Sequence, residues 1–542
     1  MSDPASPSAA VALVVDGRTV HVPADVSLLD ALREHAKVRS PKDGCAPQGQ
    51  CGCCTVLVDG APRVACVTPV RRVAGRTVTT ADGLAEADRE AWAGAFCATG
   101  ASQCGFCTPG ILVRLSALRS SGGAPPGPAG HPKVARALQA HLCRCTGWRT
   151  ILDAWDAIDE WEAGGRHTGV PAVGPARGSA ARDLDGAAQR AALEGGTPQR
   201  VGPEVALGRG GFADDGAPDD ALVALPDGRG GWVVGESLAE ARARAGKVQG
   251  RNTTLAPRPP LELPPGDWSR TLRTCWVEPA YLETDASWCV PGGEPASPLG
   301  NGGAFGGKVA SPVAAAAREL ADRLGRPVRV LLGREDSVRL GPKRPPVAAG
   351  ARADGTGVLR VARTPGVAAA VAAVAPGLEV REVDVAGPPT SAALRAAGWA
   401  EAAVLVAAAK GDRVVRSPGG AEAEAVADGT AGGVVRVRVR CGDPIDEIVL
   451  RSYCTGAAHM ALSWVRSEGI AVDDEGNVAD LTVRSFGVLR ALDMPPVEIE
   501  IDRGGPPEPV NGSDAVFAAV AAGAWMEQGC PTDWPTHRGA RR

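Results

Sequence analysis

Ten of the chain's 15 cysteines fall within the first 145 of its 542 residues, at positions 45, 51, 53, 54, 66, 97, 104, 107, 143 and 145. That crowding constrains the fold more than any other feature, because thiols so closely spaced are either oxidised in pairs or held by metal. The opening MSDPASPSAAVALVV has no positive stretch ahead of its short apolar run and does not read as a secretory signal. The thiols are therefore expected to stay reduced, in a cytoplasmic protein, with metal ligation in place of a disulfide framework.

The first spacing is Cys45-x5-Cys51-x2-Cys54-x11-Cys66. A two-iron core needs four converging thiolates, here three from one loop and a fourth from a neighbouring strand. Gly44, Gly49 and Gly52 let backbone N–H groups approach the sulfurs, whose negative charge burial would otherwise penalise. A four-cysteine zinc site is the alternative, but such sites usually pair two C-x2-C knuckles, and Cys66 stands alone. Cys53 is left as a spare thiol. The second spacing is Cys104-x2-Cys107-x35-Cys143-x1-Cys145, which by itself suits zinc or a cluster. QCGFCTPG (103–110) and LCRCTGW (142–148) put each pair at a helix boundary, where free N–H groups can face a metal. Two neighbouring [2Fe-2S] clusters make an electron relay. Cys97 reads as a small buried apolar residue on its helix.

Around these motifs the pattern predicts an α+β multidomain chain. Residues 9–82 alternate as strand, Asp16-Gly17 turn, strand, a short helix opened by Ser27 and running to His35, the glycine- and cysteine-rich loop, then a second hairpin turning at Asp59-Gly60 and returning to Cys66. That order is a β-grasp, ferredoxin-type unit. Residues 83–163 predict a four-helix bundle with helices over 84–97, 109–119, 132–142 and 148–161, Thr108 serving as N-cap ahead of Pro109. Trp148 and Trp155 are read as bundle core. Residues 164–204, rich in Gly, Ala, Arg and Pro, read as a linker. Residues 205–535 alternate strands such as 434–439 with helices such as 312–324, 456–467 and 513–525, a mixed α+β region.

A net charge of -4 needs no basic face, and Arg436, Arg438 and Arg440 alternate as one solvated strand face, so nucleic acid is not an expected partner. No apolar run is long enough for a membrane span. The seven histidines form no metal-binding pair, and His459 reads as a packed helix residue.

CAPQGQCGCCTVLVDG, QCGFCTPG and LCRCTGWRTILDA together resemble the iron–sulfur subunit of the xanthine oxidase and carbon monoxide dehydrogenase family of molybdenum hydroxylases, over residues 9–163. The resemblance implies two [2Fe-2S] clusters passing electrons from a molybdopterin centre, in this chain or a partner, to FAD or another acceptor. By it, Cys104, Cys107, Cys143 and Cys145 hold the cluster nearer the pterin, Cys45, Cys51, Cys54 and Cys66 hold the other, and Gln103 hydrogen-bonds the pterin. The gap after Cys45 is one residue longer than the family's usual four. With no flavin motif visible, the implied partners are an FAD-binding subunit plus a full-length molybdopterin subunit.

The second half is similar to a shortened molybdopterin-binding subunit: 234–248 resembles its first helix, 277–285 the segment before the cofactor loop, and 302–308 the loop GGGFGGK. Gly302, Gly303, Phe305, Gly306 and Gly307 are thereby candidate cofactor contacts. The region is much shorter than the family's, however, and Pro506 falls where the family's catalytic glutamate stands. Proline cannot act as a base, and Glu508, two residues on, substitutes only if the loop shifts. The expectation is an electron-transfer component. The alternatives are a self-contained hydroxylase of a small aldehyde, purine or heterocycle, and a zinc-binding scaffold without redox function.

Overall fold

Both Asp-Gly dipeptides turn the chain as their composition predicts. In the computed structural model, which describes residues 10–162, 182–246, 250, 255–298, 303–427 and 433–537, Asp16, Gly17, Asp59 and Gly60 have φ of 48°, 80°, 48° and 78°. Such type I′ turns match the twist of paired strands. They close the hairpins Ala10–Val15 with Arg18–Pro23 and Thr55–Val58 with Ala61–Val64. Strand Thr77–Thr79 joins the two hairpins, parallel to the first and antiparallel to the second, into one five-stranded sheet. Ser27 accepts from the Asp30 N–H to open Leu28–Asp30, which continues as the wider turn Ala31–His35. Leu28, Leu29 and Leu32 cover the sheet's buried face. The returning strand stops at Val64, and Cys66 sits in the 3-10 turn Ala65–Val67 rather than on the strand. The turn brings its N–H to the Cys54 sulfur at 3.4 Å.

The bundle helices are Glu86–Thr99, Thr108–Ser120, His131–Ala137 and Arg149–Glu162. Trp92, Phe96 and Trp155 meet in its centre, and Trp148 is fully buried. Thr108 is the first residue of its helix, not the cap. Cys107 holds the cap position with no side-chain cap bond, so the helix's free N–H end starts at a cysteine. Cys97 is only partly buried and lies against the Arg182 guanidinium, so it is not a core residue as expected.

Part of the stretch read as linker is ordered. Residues 163–181 lie outside the described residues, but Asp183 caps the helix Leu184–Gly195, whose Arg190 and Glu194 are buried as a pair. Its inner face is alanine (Ala187, Ala191), which favours helix but gives little hydrophobic contrast for a periodicity to show.

The rest of the chain builds three sheets. Trp232–Gly235, Leu222–Pro226, Val328–Leu331 and Ala286–Cys289 form the first, packed by helix Val313–Leu324. Leu378–Val383, Gly357–Ala362, Val347–Ala351, Arg270–Thr274 and Asp533–Trp534 form the second. Val414–Arg416, Glu422–Ala427, Val435–Arg440 and Val497–Asp502 form the third. There Val435, Val437 and Val439 point inward while Arg436, Arg438 and Arg440 pair outward with Glu498, Glu500 and Asp502. Helix Ser513–Glu527 is apolar all round and buried, as is most of Glu447–Arg466.

Helix Glu447–Arg466 also lies against the bundle. A side-chain carbon on Gly456 would come 1.7 Å from the Cys145 carbonyl oxygen, and one on Gly147 2.6 Å from that of Thr455. Arg144 reaches across to Glu468 with both guanidinium nitrogens, one at 2.9 Å, and the Trp148 indole donates to the Leu489 carbonyl at 3.3 Å. On the other side Arg33 bonds Asp214 and Asp215 at 2.7 and 2.9 Å, and Arg329 bonds Glu34 at 2.9 Å. The cysteine-bearing part is thus built into the second half. No described helix is long and apolar enough to cross a membrane.

Candidate metal centres

The eight predicted ligands are all buried, and the folding brings them together in the two predicted groups of four, with no disulfide among them. In the first, the Cys45 sulfur accepts from the Gln50 and Cys51 N–H groups, each at 3.3 Å, and the Cys54 sulfur from the Cys66 N–H. Hydrogen bonds from Cys51 and Cys66 hold the Cys45 thiol well below its ordinary range, while Cys51 and Cys66 are pushed up by the same sharing. In the second, Cys104 and Cys145 stand 3.6 Å apart, sulfur to sulfur, and Cys107 shares a proton with Cys143. That bond lowers the Cys143 thiol to about 6, and the Thr146 hydroxyl, 3.1 Å away, helps. No three described His, Cys, Asp or Glu side chains are grouped for a single metal ion. Two sets of four buried thiols with N–H groups aimed at sulfur fit the donor set of cysteine-ligated iron–sulfur clusters.

The two groups are neighbours. Cys53, the spare thiol, is fully buried between them: burial raises its thiol pKa, a hydrogen bond with Cys51 opposes that, and Cys45 and Cys54 of the first group and Cys104 of the second are near enough to raise it further. Helix Thr108–Ser120 meets the first loop where a side-chain carbon on Gly110 would lie 2.3 Å from the Gly52 carbonyl oxygen. Phe106 fills the same seam: a carbon on Gly44 would lie 3.0 Å from the Cys51 sulfur and 3.3 Å from the Phe106 ring. Phe106 and Gly110 stand inside the motif QCGFCTPG, where spacing alone gave no reason to single them out.

The glycine loop approaches the second group as well. Gly302 lies outside the described residues. Gly303, at φ 88°, runs so close that a side-chain carbon would sit 3.2 Å from the Cys145 sulfur. Gly306 is pressed on the Ala393 carbonyl and Gly307 on Tyr281. Phe305 has the Arg395 guanidinium stacked 3.6 Å from its ring centre. Gln103 donates to the Cys145 carbonyl at 2.9 Å and the Ser452 hydroxyl at 3.0 Å, so its amide is turned to its own chain, leaving Oε1 buried without a hydrogen bond.

These residues do not fit a molybdopterin as they stand. The cavity walled by Arg144, Phe305, Arg395, Met460, Trp464 and Glu468 is about 30 Å³, room for about one water molecule. Its cations already have carboxylates: Arg144 with Glu468, Arg344 with Glu401 at 2.7 Å, and Arg395 with Asp514 at 2.9 Å. Lys343 pairs with Glu278 at 3.0 Å, and Lys308 with Glu283. Among the described residues, each of these five cations is thus already paired, while the buried Arg334 beside Tyr281 donates only to the Gly44 and Leu282 carbonyls. Glu508 is exposed and lines none of this cavity, which removes the shifted-loop base. The carboxylate at the head of helix Ser513–Glu527 is Glu194, from the supposed linker. It accepts from the Gly512 and Ser513 N–H groups at 3.0 and 2.8 Å and pairs with Arg190, so it is a helix cap with both oxygens occupied. His459 is buried and donates to the Leu489 carbonyl at 3.0 Å, as a packed residue would.

Residues 8–83 match the family described as 2Fe-2S iron-sulfur cluster binding domain, and residues 80–156 that described as [2Fe-2S] binding domain. The nicotine 6-hydroxylase small subunit of Paenarthrobacter nicotinovorans is 39% identical over 137 residues, 25% of this chain and 80% of that one. The nicotinate dehydrogenase small FeS subunit of Eubacterium barkeri is 34% identical over 137 residues, covering 25% of this chain and 84% of the other. The aldehyde oxidoreductase of Megalodesulfovibrio gigas is 36% identical over 145 residues, which span only 15% of its length. In structure, the aldehyde oxidoreductase from Desulfovibrio desulfuricans superposes with a TM-score of 0.66 over 95% of this chain and 97% of its own, at 15% identity, a likeness of fold alone.

Proposed function

Since the chain belongs to the xanthine oxidase and carbon monoxide dehydrogenase family of molybdenum hydroxylases, we propose that it serves that family's electron transfer and leaves substrate oxidation to a partner. Cys45, Cys51, Cys54 and Cys66 would hold one [2Fe-2S] cluster and Cys104, Cys107, Cys143 and Cys145 the other, within units spanning about 9–82 and 83–163. When bound, such clusters take up and release single electrons. The observation that supports the reading is the close packing of Cys53, Gly52, Gly110 and Phe106 where the two sets of cysteines approach each other. The N–H groups of Gln50, Cys51 and Cys66 offset negative charge on the first group.

The small cavity beside Phe305 and its paired cations support a partner as the site of the pterin. That partner, and an FAD-binding chain, would dock away from Gln103, a face that helix Glu447–Arg466 already covers. A reducing cytoplasm suits eight thiols that must stay free for iron. Elemental analysis of the purified chain tests the reading: about four irons and no molybdenum are expected. Molybdenum near one per chain would return catalysis to this chain, and zinc in place of iron would end the redox reading.

A further inference from the structure

A cavity away from both cysteine groups' ligands lies between the first sheet and the segment 200–216. It measures about 730 Å³, within the range of about 300–1,000 Å³ common for small-molecule sites. Arg18, Lys37, Arg39, Arg200 and Arg209 line it against three carboxylates, in a chain whose net charge is -4. Two of those carboxylates are engaged elsewhere: Asp16 accepts from the Thr80 N–H and hydroxyl at 2.8 and 2.7 Å, and Asp215 pairs with Arg33 and Lys42. Asp82 stands 4.0 Å from Arg209, and Asp219 takes Lys37 and Arg39 at 3.1 and 3.6 Å. Arg18 and Arg200 both line the cleft and make no ion pair with a described residue, although Arg18 is near enough to Asp16 to favour its charged form.

The remaining wall is apolar, from Val15, Val20, Leu207 and Phe212. The Phe212 ring is held edge-on by Phe106 at 5.2 Å and capped by the Lys42 ammonium at 4.7 Å, so this wall is rigid. With Val15 and Phe212 buried behind it, the partly exposed apolar wall is Val20 and Leu207, and such a wall beside guanidinium groups suits a ligand with an aromatic ring and phosphate groups.

We propose that this cleft binds a nucleotide-type ligand, with its base against Val20 and Leu207 and its phosphate on Arg18 and Arg200. An adenine nucleotide and a flavin mononucleotide share that chemistry, so both are probed. The test is calorimetric titration of the full, iron-loaded chain with ADP, with FMN and with inorganic phosphate. At least one nucleotide is expected to saturate the site below about 1 mM and to bind at least about tenfold more weakly to Arg18→Glu/Arg200→Glu. Arg363→Glu, on an exposed strand end outside the cleft, should bind as the parent does. Saturation by ADP alone identifies an adenine nucleotide and by FMN alone a flavin, and either upholds the site. The proposal is overturned if neither saturates, if the double variant binds equally well, or if inorganic phosphate binds as tightly as the nucleotides. The visible spectrum of the iron–sulfur centres, recorded on the same samples, reports separately on the electron-transfer reading.

Discussion

The cysteine-bearing part and the rest of the chain resemble known proteins in different ways. Residues 8–156 match two families and keep up to 39% identity with a relative's small subunit, whereas across 95% of the chain the likeness to aldehyde oxidoreductase is 15% identity on a shared backbone course. A cluster needs particular atoms: sulfur at fixed points, and glycine where backbones nearly touch, as at Gly52 and Gly110. A packed sheet and helix need only side chains of suitable size and polarity, so their sequence can drift while the fold stays. In the second half each cation lining the small space beside Phe305 has its own carboxylate.

The sharpest way to break this contrast is Cys107→Ser, which should lower iron from about four to about two per chain and remove one of two EPR signals. Retention of both signals would exclude Cys107 as a ligand. Where the second half meets the cysteine-bearing part no single atom should matter so much, but the buried charge pair across the seam should. Arg144→Met strands Glu468 and should cost about 3–5 kcal/mol in denaturant unfolding, most of it recovered by adding Glu468→Leu. A cost well under 1 kcal/mol would mean the seam is not held by charge.

The next effect depends on pH. Burial pushes His459 down to about 4, with the nearby Arg144 charge acting in the same direction. The folded chain therefore keeps this imidazole neutral while the unfolded chain takes up a proton. Its contribution, present above pH about 6.5 and lost as pH falls toward about 4, is about 3 kcal/mol. His459→Gln should flatten the stability profile over that interval, and an unchanged slope would place the acid sensitivity elsewhere.

Gly456→Ala sharpens the comparison at the seam itself. In an unobstructed helix the change would stabilise by about 0.5–1 kcal/mol. Here the added carbon meets the Cys145 carbonyl, so a loss of about 1–3 kcal/mol is expected, with a shift confined to one EPR signal. The smallest effect is at Arg436, paired with Glu498 on the exposed face of the third sheet. Arg436→Ala should change stability by less than about 1 kcal/mol.

What could be read in advance followed from short-range rules. The Asp-Gly turns, the Ser27 cap and the starts of most helices fell within a residue or two of expectation, because φ preferences and caps act over a few residues. The helix Leu184–Gly195 was missed because an alanine face carries little periodic signal, and Cys97 was misplaced because its neighbour Arg182 lies 85 residues away in sequence. That the Gln103 amide also donates to Ser452, 349 residues distant, is a contact that no local spacing shows.

The sequence by itself determined the two groups of four cysteines, the turns and caps that present them, and the class of chemistry they can hold, since ligand type, spacing and local backbone preference are written within tens of residues. Only the tertiary structure decided that Cys53 lies between the groups, that Glu194 caps a helix more than 300 residues on, that the cavity beside Phe305 admits about one water, and that Arg18 and Arg200 share an open cleft. Those outcomes depend on which distant surfaces pack together and which charges then find partners, and no local pattern encodes either.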